Sequence, residues 1–190
     1  NHQLMYYSKK NKILFIHNKK CAGRSIKVFL RKTLGNQSHL PKECNHWGLS
    51  QLSYYMEDDF SDFFKITSVR NPWDRIVSYY YHLKKHYPNL HCLKSFGTFC
   101  SKDNLKKLML QRKICVNGKL KMDFCLRVEN IEEDIDNLMK EMSVKNYQEI
   151  RKEDHGTIRR KNYKDCYTTS TKKIIADVFA WEIEKFNYKF

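Results

Sequence analysis

Residues 12–26 of the chain read KILFIHNKKCAGRSI, in which a short apolar run is followed by a basic loop and by the beginning of a helical pattern. The run from Lys12 to His17 is typical of a buried strand. Ser25 has a side chain suited to a helix N-cap, and apolar residues recur at helical spacing from Ile26 onward. The stretch therefore predicts a strand, a loop and a helix that begins at Ser25.

The alternation of strand and helix continues along the chain. Residues 63–69 (FFKITSV) predict a second strand, after which Asn71 and Pro72 supply the N-cap and the first residue of a helix. Residues 123–128 (DFCLRV) predict a third strand, and apolar positions over 131–142 predict an amphipathic helix behind it. Strands that alternate with helices indicate an α/β fold whose sheet is mainly parallel and carries helices on both faces.

Two further segments complete this outline. Apolar positions over 174–186 predict one last helix, while residues 87–121 predict a helical or irregular insertion. Seven basic side chains and one acidic side chain lie between residues 102 and 121. Such a charge run is usually a solvated face, and the alternative is that it contacts a substrate. The length of 190 residues and the lack of an internal repeat predict a single domain over residues 1–190.

The composition predicts an anionic partner. The chain carries 36 Lys and Arg against 21 Asp and Glu, a formal charge of +15, and its apolar content of 41% is sufficient for a packed core. A phosphate-bearing cofactor, a sulfated or carboxylated polymer, a nucleic acid and an anionic membrane all fit that charge. The small number of glycines, 6, disfavours a phosphate loop that contains several of them.

The cysteines and the hydropathy exclude some classes of protein. Seven cysteines include no C-x-x-C pair, which disfavours a zinc ribbon and a redox motif. We expect the thiols to be mostly reduced, with Cys92 and Cys100 as the pair that would form in an oxidising compartment. No run of 18 apolar residues is present, so we expect a soluble chain that meets a membrane only through an anchor outside these residues.

The loop between the first strand and the first helix has the features of an anion site. Backbone N–H groups at a helix start point outward and the helix dipole favours negative charge, so donors from about Ala22 to Ile26 can hold a phosphate. Lys20 adds a mobile cation, Ser25 a hydroxyl, and Gly23 lets a ligand approach the backbone. The alternative is that Ser25 only caps the helix and that the lysines are solvated. The pattern G-x-x-x-x-G-K-[ST] is absent, which disfavours an ATPase or GTPase.

A second cluster of polar side chains follows the second predicted strand. Arg70 is expected at the carboxyl end of that strand, where open α/β sheets bind their ligands. The next helix places Asp74, Ser78 and His82 on one face, opposite the apolar stripe, so that Ser78 and Arg70 can converge on one anion. Arg75 has the spacing of this polar face, but a structural ion pair with a nearby acid is the favoured interpretation.

The two clusters together resemble the sulfotransferases that use 3′-phosphoadenosine 5′-phosphosulfate (PAPS), and in particular the carbohydrate sulfotransferases of family 2. Residues 19–25 (KKCAGRS) match the motif P-K-[TC]-[GA]-G-[TR]-S of that family, except that Lys19 stands where proline is usual. Residues 69–78 (VRNPWDRIVS) match its second motif, V-R-[ND]-P-[WYF]-x-R-[LI]-V-S, throughout. Weaker similarities to later family segments lie at residues 127–131 (RVENI), 162–167 (NYKDCY) and 183–190 (IEKFNYKF).

The resemblance implies a P-loop-like three-layer fold and an enzyme that moves the sulfuryl group of PAPS to an acceptor hydroxyl, on a carbohydrate in this family, with no metal. The residues that it implies for the 5′-phosphosulfate are Lys20, Cys21, Ala22, Gly23, Arg24 and Ser25. The residues that it implies for the 3′-phosphate are Arg70 and Ser78, with Arg160 and Tyr163 as weaker cofactor contacts. Lys20 is also implied to be catalytic, because a nearby ammonium stabilises the negative charge that grows on the leaving phosphate.

The acceptor hydroxyl needs a base, and histidine is the side chain best suited to that role near neutral pH. His46 aligns with a histidine that lies between the two motifs in the family. The alternative is that His46 is structural and packs on Trp47. His17 is expected to line the cleft or the core, and Glu129 to contact the substrate or to form an ion pair.

Two other functions use the same features. An inactive relative would bind nucleotide or glycan without chemistry, and a basic nucleic-acid-binding module would use the charge together with the 12 tyrosines. No helix-turn-helix, zinc-finger or RNP pattern supports the second of these, so we expect a glycan acceptor, which can itself be anionic, and no nucleic acid. Animal members of the resembled family are usually anchored in the Golgi. An anchor ahead of these residues would place the chain in the Golgi lumen, and the cytoplasm is expected otherwise.

Overall fold

The computed structural model describes residues 5–35, 44, 47–150 and 162–190, with the backbone alone at 57–59. The strands in these parts of the chain are β1 (Tyr6–Ser8), β2 (Ile13–Ile16), β3 (Phe64–Val69), β4 (Cys115–Val116), β5 (Lys119–Leu120) and β6 (Phe124–Arg127). The α-helices are α1 (Gly23–Leu34), α2 (Leu49–Met56), α3 (Pro72–His86), α4 (Phe96–Phe99), α5 (Lys102–Lys106), α6 (Gln111–Ile114), α7 (Ile131–Glu141), α8 (Thr169–Val178) and α9 (Ala180–Lys185).

These elements form two compact units. The sheet unit consists of Asn1–Val69 and Gln111–Glu153, and the helical unit consists of Arg70–Leu110 and Asp154–Phe190. The predicted single domain over residues 1–190 stays a prediction.

The sheet unit is built on a sheet of four strands in the order β1-β2-β3-β6. β2 pairs with β3, and β3 with β6, in parallel, while β1 pairs with β2 in antiparallel orientation. The fold is therefore α/β with three layers and a mainly parallel sheet, as predicted. The edge strand β1 was not predicted, because three residues are too few to show the alternation that marks a strand.

The strand register separates the two faces of this sheet. Phe15 lies opposite Ile66, and Ile66 opposite Phe124, so the three side chains share one face. The side chains of α1 and α7 that pack on this face are Ile26, Phe29, Leu30, Ile131, Ile135 and Leu138. Leu14 and Ile16 point to the opposite face and are also fully buried. Burial on both faces explains why the strands read as continuous apolar runs.

The beginning of α1 differs from the prediction. The helix begins at Gly23, and its N-cap is Ala22, which has φ 54° and ψ 18°. Ser25 is instead the third residue of the helix, so its predicted role as N-cap is wrong. The left-handed conformation of Ala22 turns the chain into the helix before Ser25 is reached, and a loop of this shape has no signature in side-chain preference.

The helical unit contains α3, α4, α5, α8 and α9. Trp73, Ile76 and Tyr80 of α3 pack in its core with Ile175 and Phe179. α3 begins as predicted, since the Asn71 side chain accepts a hydrogen bond from the backbone N–H of Trp73 at 3.1 Å. The single last helix predicted over 174–186 is wrong, because α8 ends at Val178 and α9 begins at Ala180, with φ −106° and ψ 23° at the residue between them.

The predicted insertion over 87–121 contains three short helices, α4 to α6, and a hairpin. The hairpin joins β4 to β5 through Asn117 and Gly118, which have φ values of 50° and 73°. Positive φ at both turn residues is the type I′ geometry for which Asn-Gly is the preferred sequence. This dipeptide was therefore a signal for a hairpin that the analysis of the insertion did not use.

A buried ion pair lies inside the helical unit. The Arg75 guanidinium donates to Glu182 at 2.8 Å, and both side chains are at most 3% exposed. The other oxygen of Glu182 accepts the backbone N–H of Leu110 at 2.6 Å. Burial raises the pKa of Glu182, and the charge of Arg75 acts in the opposite direction. The interpretation of Arg75 as half of a structural ion pair is confirmed, and its inclusion in an exposed polar face is wrong.

We expect the substitution Arg75→Met to destabilise the protein by about 3–5 kcal/mol, because it leaves the Glu182 carboxylate buried without its cation. The double variant Arg75→Met/Glu182→Gln should recover part of this loss, since glutamine carries no charge and still accepts from Leu110. Urea unfolding of the three proteins measures both effects. A loss below about 1 kcal/mol for Arg75→Met, typical of an exposed pair, would contradict the assignment.

Candidate active site

The loop between β2 and α1 is shaped by two residues in the left-handed conformation. Lys20 has φ 64° and Ala22 has φ 54°. The backbone N–H of Cys21 donates to the carbonyl of Asn18 at 3.3 Å and closes a turn between them. Left-handed residues that alternate with right-handed ones direct successive N–H groups to one side, which makes a concave surface for an anion. The binding of an anion by this loop stays a prediction.

The start of α1 adds donors to this loop. Ala22 has no side chain that can cap the helix, and no side-chain cap hydrogen bond is made there. The N–H groups of the first helical turn have no partners within the helix, and the helix dipole is positive at this end. Cys21 and Ser25 are buried, Lys20 and Ala22 are half-buried, and Arg24 is exposed. The predicted residues 20–25 thus surround the N-terminus of α1.

Buried hydrogen bonds attach the loop to β3. The Asn18 amide donates to the Thr67 hydroxyl at 2.8 Å and to the Ser68 carbonyl at 2.9 Å. The Ser68 hydroxyl donates to the Cys21 carbonyl at 2.6 Å, and that of Thr67 to the Ile16 carbonyl at 3.0 Å. Asn18, Thr67 and Ser68 are 0% exposed. We call this set of contacts the loop latch. The sequence analysis missed it, because a polar residue within a strand does not indicate which distant residue it contacts.

A glycine is required at position 23 because the side chain of His17 packs directly against it. A Cβ atom at this position would lie 1.9 Å from Nδ1 and 2.4 Å from Cε1 of His17. Because no contact of that length is possible, the imidazole of His17 occupies the place of the missing side chain. His17 is half-buried against the start of α1, in agreement with the expectation that it lines the cleft or the core.

A lysine from a distant part of the chain lies beside the loop. The Lys113 ammonium, on α6, donates to the carbonyl of His17 at 3.5 Å. Burial lowers the pKa of Lys113, the charge of Lys19 lowers it further, and Cys21 acts in the opposite direction. The sequence analysis placed Lys113 in a solvated charge run, and no feature of that run distinguishes it from the other basic residues.

In the helical unit, the geometry of Arg70 is set by an acid. Arg70 directly follows β3 and donates through Nε and through Nη2 to the same Asp74 oxygen, both at 2.7 Å. Ser78 lies one helical turn beyond Asp74, on the same face of α3, and both are half-buried. Asp74 therefore holds the guanidinium at the end of the line of polar side chains that includes Ser78. The convergence of Arg70 and Ser78 on one anion stays a prediction.

The remaining predicted site residues divide into two groups. Tyr163 is half-buried, and its ring packs edge-on against that of Phe190 at 5.8 Å between centroids. Its contact with a cofactor stays a prediction. His46 and Arg160 lie outside the described residues.

No group of three or more potential metal ligands occurs among the described residues. Within the same residues, no helix is long and apolar enough to cross a membrane. No disulfide bond joins the described cysteines, and burial raises the pKa of Cys100 to about 12.

Comparison with known proteins agrees with the motifs. The model of the sulfotransferase family, family 2, matches residues 3–189, which is nearly the whole chain. No curated protein matches the chain. Since the match covers the loop, the segment after β3 and both compact units, this chain belongs to the sulfotransferase family. It is therefore a transferase of sulfuryl groups.

We expect Gly23→Ala to destabilise the protein by about 1–3 kcal/mol, because the added methyl group must displace the His17 ring or the loop. Gly97→Ala in α4 is the matched control, since the nearest atom to a Cβ there is the Ser95 hydroxyl at 3.7 Å. The control should be neutral or slightly more stable, as for alanine in other helices. Thermal unfolding compares the two. Equal stability of both variants would show that His17 does not occupy this space.

Proposed function

We propose that this protein transfers the sulfuryl group of PAPS to a hydroxyl group of a carbohydrate acceptor. The observation that carries the proposal is the loop with left-handed Lys20 and Ala22 at the start of α1, in a chain that belongs to the sulfotransferase family. A loop of backbone N–H donors with one lysine fits a phosphosulfate, because its phosphate and sulfate groups are tetrahedral and present several oxygens to the N–H groups. The donor set fits this group without a metal.

The two ends of the donor are assigned to different residues. Residues 20–25 would hold the 5′-phosphosulfate, and Arg70 and Ser78 would hold the 3′-phosphate. Arg70 already points its Nε and Nη2 donors at one carboxylate oxygen of Asp74, so its fork is oriented before any ligand binds. Arg160 and Tyr163 are proposed as additional contacts to the nucleotide.

Lys20 has the principal chemical role. When bound, PAPS supplies an activated sulfuryl group whose leaving group is a phosphate. The Lys20 ammonium lies in a loop whose conformation is restrained by the loop latch, and it stabilises the negative charge that develops on the bridging oxygen more than the smaller charge present beforehand. The restraint matters because a preoriented cation needs no reorganisation during the reaction.

A base on the acceptor side completes the proposal. His46 would take the proton of the acceptor hydroxyl. Gly48, two residues later in the chain, packs on the backbone of α6 in the sheet unit. The net charge of +15 suits both the anionic donor and an anionic glycan.

Binding of 3′-phosphoadenosine 5′-phosphate (PAP), the product of the donor, tests the nucleotide assignment. We expect calorimetry to show that PAP binds more tightly than ATP. Arg70→Ala should lower the affinity for PAP by at least tenfold, since a charge-assisted hydrogen bond is lost. Arg31→Ala, an exposed arginine in the last turn of α1, is the control.

The Arg70→Ala variant also removes the cation that neutralises Asp74, and the remaining carboxylate can repel a phosphate. The double variant Arg70→Ala/Asp74→Ala separates the two effects. Affinity that stays at least tenfold reduced in the double variant supports direct binding by Arg70. Wild-type protein without affinity for PAP would contradict the proposed donor.

Substitution of Lys20 tests the chemistry. We expect Lys20→Ala to lower the rate of PAPS conversion to PAP by about 10²–10³-fold, the usual cost of one preoriented group at a developing charge. The assay uses a mixture of desulfated glycosaminoglycans as acceptors, and Lys10→Ala, at an exposed position, is the control. PAP binding with no turnover in the wild type would favour the inactive relative. Turnover that does not depend on Lys20 would contradict its catalytic role.

A further inference from the structure

Lys113 differs from the other basic residues of its segment. Arg112, Lys119 and Lys121 are exposed, whereas Lys113 is half-buried and directs its ammonium toward the phosphate loop of the sheet unit. Among the described residues it has no carboxylate partner within salt-bridge distance, and its ammonium donates to the carbonyl of His17 at 3.5 Å. An ammonium has three donors, so a carbonyl at this length leaves most of its hydrogen-bonding capacity for another acceptor.

The backbone that carries Lys113 is held from two sides. A Cβ at Gly48 would lie 2.8 Å from the Lys113 Cα and 3.0 Å from the Arg112 carbonyl oxygen, so the two main chains are in direct contact. On the other side, the backbone N–H of Lys121 donates to the Ile114 carbonyl at 3.1 Å and closes the base of the β4–β5 hairpin against α6. A lysine on a backbone fixed in this way is a positioned group rather than part of a solvated surface.

The charges around Lys113 favour the binding of an anion. Lys19 is close enough to lower the pKa of Lys113, and Lys20 is the next residue of the loop. The like charges of Lys19 and Lys113 repel each other, and the repulsion is relieved when a multivalent anion lies between them. The carbonyl of His17 is a weak substitute for such an anion.

We propose that Lys113 is a second lysine of the phosphosulfate site and donates to an oxygen at the 5′ end of the donor. The inference rests on the proposed function, because it assigns the loop to the 5′-phosphosulfate. It adds a residue from the basic insertion to a site otherwise composed of the β2–α1 loop. In this role Lys113 recognises the charge at the 5′ position and is independent of the 3′-phosphate.

The test compares two nucleotides that differ only at the 5′ position, PAP and adenosine 3′-phosphate, by calorimetry. We expect Lys113→Met to lower the affinity for PAP by about ten- to a hundredfold, the range for a hydrogen bond to a charged group. Its affinity for adenosine 3′-phosphate should stay within twofold of the wild-type value. Lys113→Arg should retain most of the preference for PAP, because it keeps the charge. Lys119→Met, an exposed lysine of the adjoining hairpin, removes the same charge and should leave both affinities within twofold.

The outcomes separate this inference from the proposed function. If the wild type prefers PAP and Lys113→Met keeps that preference in full, the inference is wrong and the proposed donor stands. If Lys113→Met loses affinity for both nucleotides equally, or if Lys119→Met matches it, Lys113 is structural or acts only through net charge, and the inference is again wrong. Wild-type protein that binds neither nucleotide would overturn the proposed donor and this inference together. Thermal unfolding of each variant shows that the loss is not one of folding, and Lys113→Gln, which also removes the charge, serves if Lys113→Met does not fold.

Discussion

The loop latch is the contact on which the candidate site of the sheet unit depends. β2 and β3 lie side by side in parallel, so both carboxyl ends reach the same edge of the sheet, and Asn18, Thr67 and Ser68 join them there through hydrogen bonds that water does not reach. Buried polar groups of this kind are costly when their partners are lost, so the latch restrains the loop strongly. Two non-glycine residues in the left-handed conformation persist only where the surroundings impose it, and the latch supplies that restraint.

The function of a charged side chain in this protein depends on its partner and its burial, and its type alone does not reveal it. Arg70 and Arg75 are five residues apart in one motif, yet Arg70 lies at the start of α3 beside Asp74, and Arg75 is buried against Glu182. Arg70 precedes the N-cap of α3 and is half-buried, whereas Arg75 is the fourth residue of the helix and is buried in the core of the helical unit.

Much of the fold could be predicted from local patterns. β2, β3 and β6 were predicted because each is a short apolar run, and α3 and α7 because their apolar residues recur at helical spacing. The features that were missed are of two kinds. β1 is too short to show a pattern, and the break between α8 and α9 lies inside an unbroken apolar periodicity that continues through Phe179. Neither the strand nor the helix break can be predicted from local sequence preference, because both depend on tertiary packing.

By itself, the sequence determined the alternating α/β order, the positions of the β2–α1 loop and of Arg70, and the family to which the chain belongs. These properties are carried by residues near one another in the chain, where spacing and side-chain type are sufficient evidence. Only the tertiary structure decided that Ala22 rather than Ser25 is the N-cap of α1, that Gly23 makes room for His17, and that Lys113 lies beside the loop. Each of these depends on a backbone conformation or on a contact between distant segments, and neither leaves a mark in the local order of residues.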